Sequence, residues 1–150
     1  MRKLMAKTST FAGETEAIGR EIARGLKAGD LIGLYGPVGA GKTTFVKGLA
    51  IGLNCRVPAK SPSFSLVNEY PGDIPLFHID FYRLKTDAEI DDLGWTDYLD
   101  SDGIVVIEWA DRAKNTLPGR TIDVYFTILD ANSRRLEIFV NDDFRDRQLG

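Results

Sequence analysis

Apolar side chains in the first third of the chain recur with the spacing of a helix, then of a strand, then of a second helix. A four-residue repeat of isoleucine and leucine predicts an amphipathic helix over 14–27. The continuous apolar run 31–35 predicts a buried strand, and a second helical face over 42–53 follows it. Because a glycine-rich stretch separates the last two, the pattern predicts strand, loop and helix in direct succession.

The rest of the chain alternates short apolar runs with turn residues and shorter helical patterns. We expect a hairpin of strands over 64–70 and 76–82, helical turns over 87–99 interrupted at Gly94, a strand over 104–107, a helix over 110–117, a closing hairpin of 121–129 with 135–140, and a frayed end over the last ten residues. The unbroken β-branched run is typical of a central strand covered on both faces. This order predicts one three-layer α/β domain across residues 1–150, with a mixed, mainly parallel central sheet.

The composition is that of an ordinary globular domain. Of 150 residues, 43% are hydrophobic and 27% are charged, so the chain can bury a core without disulfides or structural metal. The single cysteine, Cys55, has no partner for an intramolecular disulfide and is expected to be a buried or half-buried thiol. Because no apolar stretch suits a signal peptide or a membrane span, we expect a cytoplasmic protein without membrane contact.

Acidic residues are concentrated in one segment. The formal net charge is −3, which argues against a dedicated nucleic-acid binder with a positive surface. Between Thr86 and Asp111 there are nine acidic residues and no lysine or arginine. Such a surface would repel phosphate backbones, and either a solvated face or docking onto a basic partner explains it.

The glycine-rich stretch matches the phosphate-binding loop pattern G-x-x-x-x-G-K-[ST], with the required strand before it and helix after it. Its glycines let the backbone approach a polyphosphate, whose charge meets successive N–H groups at the helix start. Lys42 is a candidate catalytic residue whose ammonium group can reach the β- and γ-phosphates. The Thr43 hydroxyl is an expected Mg²⁺ ligand. The candidate nucleotide-binding residues are Gly36, Pro37, Val38, Gly39, Ala40, Gly41, Lys42, Thr43 and Thr44.

Two carboxylates are candidates for the catalytic and metal-binding groups that such a loop requires. Glu108 ends an apolar strand, in the position of a Walker B acid, and is a candidate catalytic residue and Mg²⁺ ligand. Asp80 lies within another apolar strand, where an acid is costly unless it is paired or bound to a cation. It is a second candidate for catalysis and for the metal. The alternatives are a surface carboxylate for Glu108 and a partner of Tyr82 or Arg83 for Asp80.

Four further residues lie beside these motifs in the sequence. His78, two residues before the aspartate, is expected to be a hydrogen-bonded structural histidine. Trp109 follows the Walker B glutamate and either packs in the core, covers the site or meets a partner. Ser61 and Ser63 precede a strand, where their hydroxyls either sense a γ-phosphate as a switch segment or belong to an ordinary turn.

Taken together, these motifs resemble one family, the TsaE ATPases, formerly YjeE, of bacterial tRNA threonylcarbamoyladenosine synthesis. The resemblance runs from about Thr10 to Val140 and rests on four ordered segments: Leu34-Tyr35-Gly36 leading into 39–44, Ser61-Pro62-Ser63-Phe64 with 66–70, 78–84, and 107–112. The chain departs from the usual family pattern at Ser63, where threonine is usual, and at Asp111, where glutamate is frequent.

The resemblance implies an ATPase that uses ATP and Mg²⁺ and works with the proteins TsaD and TsaB. Those partners transfer a threonylcarbamoyl group from its adenylate to the adenosine beside the tRNA anticodon, and ATP hydrolysis would support turnover of the complex. The chain would then meet tRNA only indirectly, and its acidic segment would suit docking onto a partner protein.

Three other functions are compatible with the loop. A small-molecule kinase of the same fold would use Asp80 as a base and a lid arginine such as Arg112 or Arg120, although no arginine-rich lid helix is evident. A regulatory GTPase would need an Asn-Lys-x-Asp segment, which the sequence does not contain. A nucleotide-binding scaffold without hydrolysis is disfavoured because the complete set of catalytic candidates is present.

Overall fold

The structure of the chain is a computed structural model that describes residues 1–56, 67–81, 88–89, 94–100, 102–108 and 119–149. Its strands and helices follow a largely alternating order along the sequence. They are β1 (Arg2–Ser9), α1 (Ala12–Ala23), β2 (Leu31–Tyr35), α2 (Lys42–Gly52), β3 (Val67–Tyr70), β4 (Leu76–Asp80), α3 (Trp95–Asp100), β5 (Ile104–Glu108), β6 (Ile122–Ile128), β7 (Arg134–Val140) and α4 (Asp142–Leu149).

The strands form one sheet in the order β1-β7-β6-β2-β5-β4-β3. Strands β6, β2, β5 and β4 are parallel neighbours, whereas antiparallel pairs add β3 at one edge and β7 with β1 at the other. Because β1 is antiparallel to β7, five of the seven described strands point the same way. The carboxyl ends of β2, β4 and β5 meet at one edge, where open α/β sheets bind ligands. The predicted mixed, mainly parallel sheet is confirmed.

Helices cover both faces of the sheet. Strands β2 and β5 are buried along their whole lengths, as expected for parallel strands at the centre of a sheet. On one face, α1 and α2 pack over Ile32, Leu34 and Val106 in a continuous core. On the other face, Phe77 of β4 contacts Tyr98 of α3, with ring centroids 4.9 Å apart. The predicted three-layer α/β arrangement is therefore confirmed.

Helices α1 and α2 approach closely because glycines lie at their contact. A Cβ atom at Gly19 would lie 2.4 Å from the backbone oxygen of Phe45, and one at Gly48 would lie 2.1 Å from that of Glu16. The two helix backbones thus come nearer than a larger residue would allow. This packing holds α2, and the loop that leads into it, against the start of α1.

Several elements differ from those that the sequence predicts. Strand β1 has no expected counterpart, since only one of its eight side chains is buried and the strand gives little hydrophobic periodicity. The last ten residues, expected to be frayed, contain α4 because Phe144 enters the core and Arg147 pairs with buried Asp30. Helix α1 covers Ala12–Ala23 rather than 14–27. The helix expected over 110–117 lies outside the described residues.

Candidate functional site

The glycine-rich loop between β2 and α2 folds back around the lysine side chain. Gly36 has a φ of 145°, and a Cβ atom there would lie 2.8 Å from the backbone oxygen of Phe126. Lys42 is 5% exposed, and its Nζ donates a hydrogen bond of 2.6 Å to the carbonyl of Gly36. The loop therefore encloses the Lys42 ammonium group and bonds it to the loop's own first carbonyl.

The first turn of α2 presents backbone N–H groups beside this ammonium group. Gly41 precedes the helix in a left-handed conformation, with a φ of 96°, and no side chain caps the helix start. Helix N-termini of this kind carry partial positive charge and bind anions. The loop thus combines a lysine with a helix start, the arrangement that the sequence motif predicts for a phosphate site.

The loop and the end of β5 meet through a hydroxyl and a carboxylate. The Thr43 Oγ1 atom donates a 3.2 Å hydrogen bond to Glu108 Oε1, across 65 positions of sequence. Glu108 is the last residue of β5 and pairs in register with Leu34 of β2. Because β2 leads directly into the loop, this parallel pairing is what brings the glutamate to the threonine.

Asp80 ends the neighbouring strand at the same edge of the sheet. It pairs in register with Glu108 in the parallel β4–β5 ladder, so the two acids are direct neighbours. Glu108 is 7% exposed, whereas Asp80 is partly exposed. The structure therefore brings together Lys42, Thr43, Glu108 and Asp80 at the carboxyl ends of three adjacent strands.

The surroundings of Glu108 favour its charged form. Burial by itself raises the pKa of this carboxyl, but His78, Lys42 and the Thr43 hydroxyl outweigh that effect and hold the pKa below its usual range. Burial and the nearby charge of Glu108 raise the pKa of Tyr70, which keeps this phenol neutral. The site thus keeps an ionised carboxylate in a largely buried position.

His78 lies beside Glu108 without a hydrogen bond. Its Nε2 atom is 3.2 Å from Glu108 Oε1, which is ion-pair distance, but neither ring nitrogen has a hydrogen-bond partner within the described part of the chain. The expected hydrogen-bonded histidine is therefore not what the structure shows.

A cavity of about 400 Å³ opens beside the loop, between the start of α1 and the turn that joins β6 to β7. Phe11, which is 61% exposed, and Thr44 line it, together with Asn132 and Arg134 of the hairpin. Arg134 Nη2 donates a 3.0 Å hydrogen bond to the carbonyl of Gly39 and so ties the hairpin to the loop. Sequence analysis did not single out Phe11 or Arg134, because neither belongs to a local motif.

The other candidates from the sequence divide into two groups. Ser61, Ser63, Trp109 and Arg112 lie outside the described residues. Arg120, a candidate lid arginine, is bound to buried Asp123, with Nε 2.7 Å from Oδ1.

Three other features bear on the kind of site that the described residues can form: the cysteine, clusters of metal-binding side chains and membrane-spanning helices. Cys55 is a buried free thiol, as expected, and burial raises its pKa. No three histidine, cysteine or acidic side chains of the described residues form a metal-binding group by themselves. Among the described helices, none has the length and apolar character that crossing a bilayer requires.

Comparison with known proteins gives a consistent result across most of the chain. Residues 9–136 match the family model described as "Threonylcarbamoyl adenosine biosynthesis protein TsaE". The tRNA threonylcarbamoyladenosine biosynthesis protein TsaE of Treponema pallidum is 35% identical over 134 residues, which cover 89% of this chain and 99% of that protein. The protein of the same name from Bacillus subtilis is 40% identical over 112 residues, which cover 74% and 70%.

Structural comparison agrees with the sequence matches. A crystal structure of Bacillus subtilis YdiB superposes with a TM-score of 0.77 at 28% identity, covering 97% of this chain and 91% of that one. The matched region contains the loop, both carboxylates and the central strands that bring them together. The chain therefore belongs to the TsaE family.

Proposed function

We propose that this protein is a Mg²⁺-dependent ATPase that acts in the synthesis of threonylcarbamoyladenosine in tRNA. Membership of the TsaE family supports the pathway. The observation that carries the ATPase proposal is the 3.2 Å contact between Thr43 and Glu108, beside a lysine enclosed by a glycine-rich loop. A turn that binds nothing has no need for a buried carboxylate against its threonine.

The loop is the proposed site for the phosphates of ATP. Lys42 and the backbone N–H groups at the start of α2 supply positive charge on the same side of the sheet edge. On binding, Lys42 would exchange the Gly36 carbonyl for phosphate oxygens. Residues 36–44 are the proposed nucleotide-binding segment.

The donor set at the sheet edge fits Mg²⁺. A threonine hydroxyl and an ionised carboxylate are hard oxygen ligands, and Mg²⁺ characteristically takes its remaining ligands from water and substrate phosphates. Thr43 and Glu108 would hold the ion, with Asp80 next to them. When bound, the metal supplies charge neutralisation at the β- and γ-phosphates.

Asp80 is the proposed catalytic carboxylate for the attacking water. It neighbours Glu108 at the end of β4 and is more exposed to solvent than Glu108. A carboxylate in this position can accept a hydrogen bond from water and orient it towards the γ-phosphate. We therefore assign metal holding to Glu108 and water positioning to Asp80.

The cavity beside the loop is the proposed site for the nucleoside part of ATP. It adjoins Gly39, Gly41 and Thr44, so a triphosphate in the loop can extend into it. The exposed ring of Phe11 offers an apolar surface for a base, while Asn132 and Arg134 offer polar groups.

Partner proteins of the TsaB and TsaD type are proposed to stimulate hydrolysis. The acidic segment 86–111 ends next to the site, since it contains Glu108 itself. Docking there would shift Glu108, the proposed Mg²⁺ ligand. Ser61, Ser63 and Trp109 are the candidate residues that would respond to the partner. A small-molecule kinase is less well supported, because Arg120 is already bound to Asp123.

A single-turnover assay tests this proposal. The purified chain would be mixed with radiolabelled ATP or GTP, with and without Mg²⁺ and with and without a TsaB–TsaD pair. We expect Mg²⁺-dependent ATP hydrolysis that is slow alone and faster with the partners, and little hydrolysis of GTP. Absence of Mg²⁺-dependent hydrolysis in every mixture would contradict the proposal.

A further inference from the structure

The buried histidine beside Glu108 is not explained by packing. His78 is 6% exposed, and both ring nitrogens lack a hydrogen-bond partner within the residues that the structure describes. Buried polar groups in folded proteins are almost always hydrogen-bonded, and each exception calls for an explanation. The strand face that carries His78 also carries apolar Leu76, which is fully buried. An apolar residue would fill the position without that penalty.

The sheet places His78 between two polar side chains. On the β5 side, its Nε2 atom lies 3.2 Å from Glu108 Oε1. On the β3 side, His78 pairs in register with Asn68, and side chains at such positions lie about 5 Å apart at Cβ. The Oδ1 atom of Asn68 is itself buried and has no hydrogen-bond partner among the described residues. Three unpartnered polar atoms thus belong to one cross-strand pair, next to the carboxylate.

We propose that Asn68 and His78 are positioning residues that hold the Glu108 carboxylate towards Thr43, an inference that rests on the proposed Mg²⁺-dependent ATPase. In this arrangement the His78 Nε2–H group donates to Glu108 Oε1, 3.2 Å away, and this hydrogen bond tightens when nucleotide and Mg²⁺ bind, as catalytic hydrogen bonds often do. His78 Nδ1 is then an acceptor. A half-turn of the Asn68 amide exchanges its oxygen for its NH₂ group, which supplies the donor.

This arrangement explains why a histidine is buried at position 78. Glu108 Oε1 already accepts from Thr43, and His78 as a second donor to the same oxygen restricts the rotation of the carboxylate. The second carboxylate oxygen of Glu108 would then be held in place to bind Mg²⁺. Partners of this kind behind a metal ligand typically contribute 10–100-fold to metal affinity or activity.

The decisive variant is His78→Leu, which fills the space and removes both nitrogens. We expect the Mg²⁺ concentration for half-maximal ATP hydrolysis to rise by about tenfold. Calorimetry with a non-hydrolysable ATP analogue should show the same loss in the presence of Mg²⁺, and unchanged affinity without it. The thermal midpoint is measured as a check on folding, because the substitution removes two buried polar atoms and also a neighbour that favours the charged form of Glu108.

Two variants separate positioning from general damage to β4. His78→Gln keeps an N–H donor near the place of Nε2 and should recover most of the Mg²⁺ affinity. Ile79→Val trims the next buried residue of the strand, on the opposite face, and should leave the Mg²⁺ requirement unchanged. Asn68→Leu should raise the Mg²⁺ requirement less than His78→Leu, and combining the two should add little.

The outcomes distinguish this inference from the function on which it rests. If His78→Leu matches the wild type in Mg²⁺ dependence while the wild type binds Mg²⁺ and ATP together, the positioning role is wrong and the ATPase proposal stands. If the wild type shows no Mg²⁺-dependent nucleotide binding, both are overturned. Should His78→Leu fail to fold, Asn68→Leu decides, and an unchanged Mg²⁺ requirement in that variant overturns the inference.

Discussion

Glu108 is a buried acid whose neighbours decide its charge. Burial raises its pKa, and His78, Lys42 and Thr43 lower it further than burial raises it. Because the folded pKa lies below the unfolded one, ionised Glu108 stabilises the fold at neutral pH. That contribution is present above the unfolded pKa, about 4.3, and is lost as the pH falls through the lower folded value.

The pH dependence of stability should therefore change in Glu108→Gln. We expect the free energy of unfolding of the wild type to fall more steeply than that of the variant between about pH 5 and pH 3. Urea unfolding of both proteins at several pH values measures this difference. Parallel curves across that range would mean that Glu108 has the same pKa in the folded and the unfolded state, which would contradict the lowered pKa.

Asp80→Asn should separate turnover from binding. The substitution preserves shape and removes the charge that orients water, so we expect the single-turnover rate to fall by about 10² or more. ATP affinity should change little, because the loop holds the phosphates. Asp73→Asn, which alters an exposed acid in the turn before β4, is the matched control. Turnover of Asp80→Asn within about twofold of the wild type would remove its catalytic role.

The residues of the site differ in how far a sequence can reveal them. Lys42 and Thr43 belong to a local motif with a fixed spacing, and Glu108 ends a recognisable strand, so their meeting could be predicted. Phe11 and Arg134 reach the same place only through the fold, the second across 95 positions. The contact of His78 with Glu108 likewise depends on strand order, which spacing does not specify.

Helix α4 is held to the sheet by one network of charged side chains. Arg147 binds Asp30, just before β2, at 2.8 Å and 3.0 Å, and also binds Asp143 of its own helix. Asp30 is 3% exposed and accepts a further hydrogen bond from Thr121. The amphipathic signal of this helix is weak, and over 142–148 only Phe144 is buried and only Arg147 is half-buried, which is why the sequence suggests a frayed end.

Arg147→Ala should destabilise the protein although it lies near the end of the chain. Removing the guanidinium leaves the buried Asp30 carboxylate without its charge partner, which typically costs about 3–5 kcal/mol in free energy of unfolding. Arg145→Ala, an exposed position of the same helix, should change stability by less than about 0.5 kcal/mol. Adding Asp30→Asn to Arg147→Ala should recover part of the loss. Equal unfolding midpoints for both arginine variants would contradict the network.

For the whole molecule, charge is distributed unevenly. The acidic side chains of the segment 86–111 that the structure describes are exposed, apart from Glu108: Glu89, Asp97, Asp100 and Asp102. Glu108 lies near the C-terminal end of that segment, in the site. A basic partner surface that docks on these exposed carboxylates would therefore contact the segment that leads into β5, the strand that ends at Glu108.

Reversing two of these charges should weaken partner stimulation. We expect Asp100→Lys combined with Asp102→Lys to reduce ATPase stimulation by a TsaB–TsaD pair, most strongly at low salt, while ATP affinity of the isolated chain stays unchanged. Asp146→Lys, at an exposed position of α4, is the control. A stimulation curve that is the same for both variants across a salt series would show that the partner docks elsewhere.

The architecture could be predicted from the sequence to the extent that burial leaves a pattern. The fully buried runs of β2 and β5 gave the centre of a parallel sheet, and the order of elements gave three layers. Strand β1 was not predicted because it is an edge strand in which only one of eight side chains is buried. Strand order and register depend on long-range pairing, which local periodicity does not encode.

The most direct measurement of the central claim is ATP binding and Mg²⁺-dependent phosphate release by Lys42→Ala, compared with Lys47→Ala. Lys42 is enclosed by the loop, whereas Lys47 is exposed on the same helix. We predict that Lys42→Ala folds normally and loses nucleotide binding or hydrolysis, and that Lys47→Ala behaves as the wild type. Wild-type affinity and phosphate release in Lys42→Ala would contradict the account.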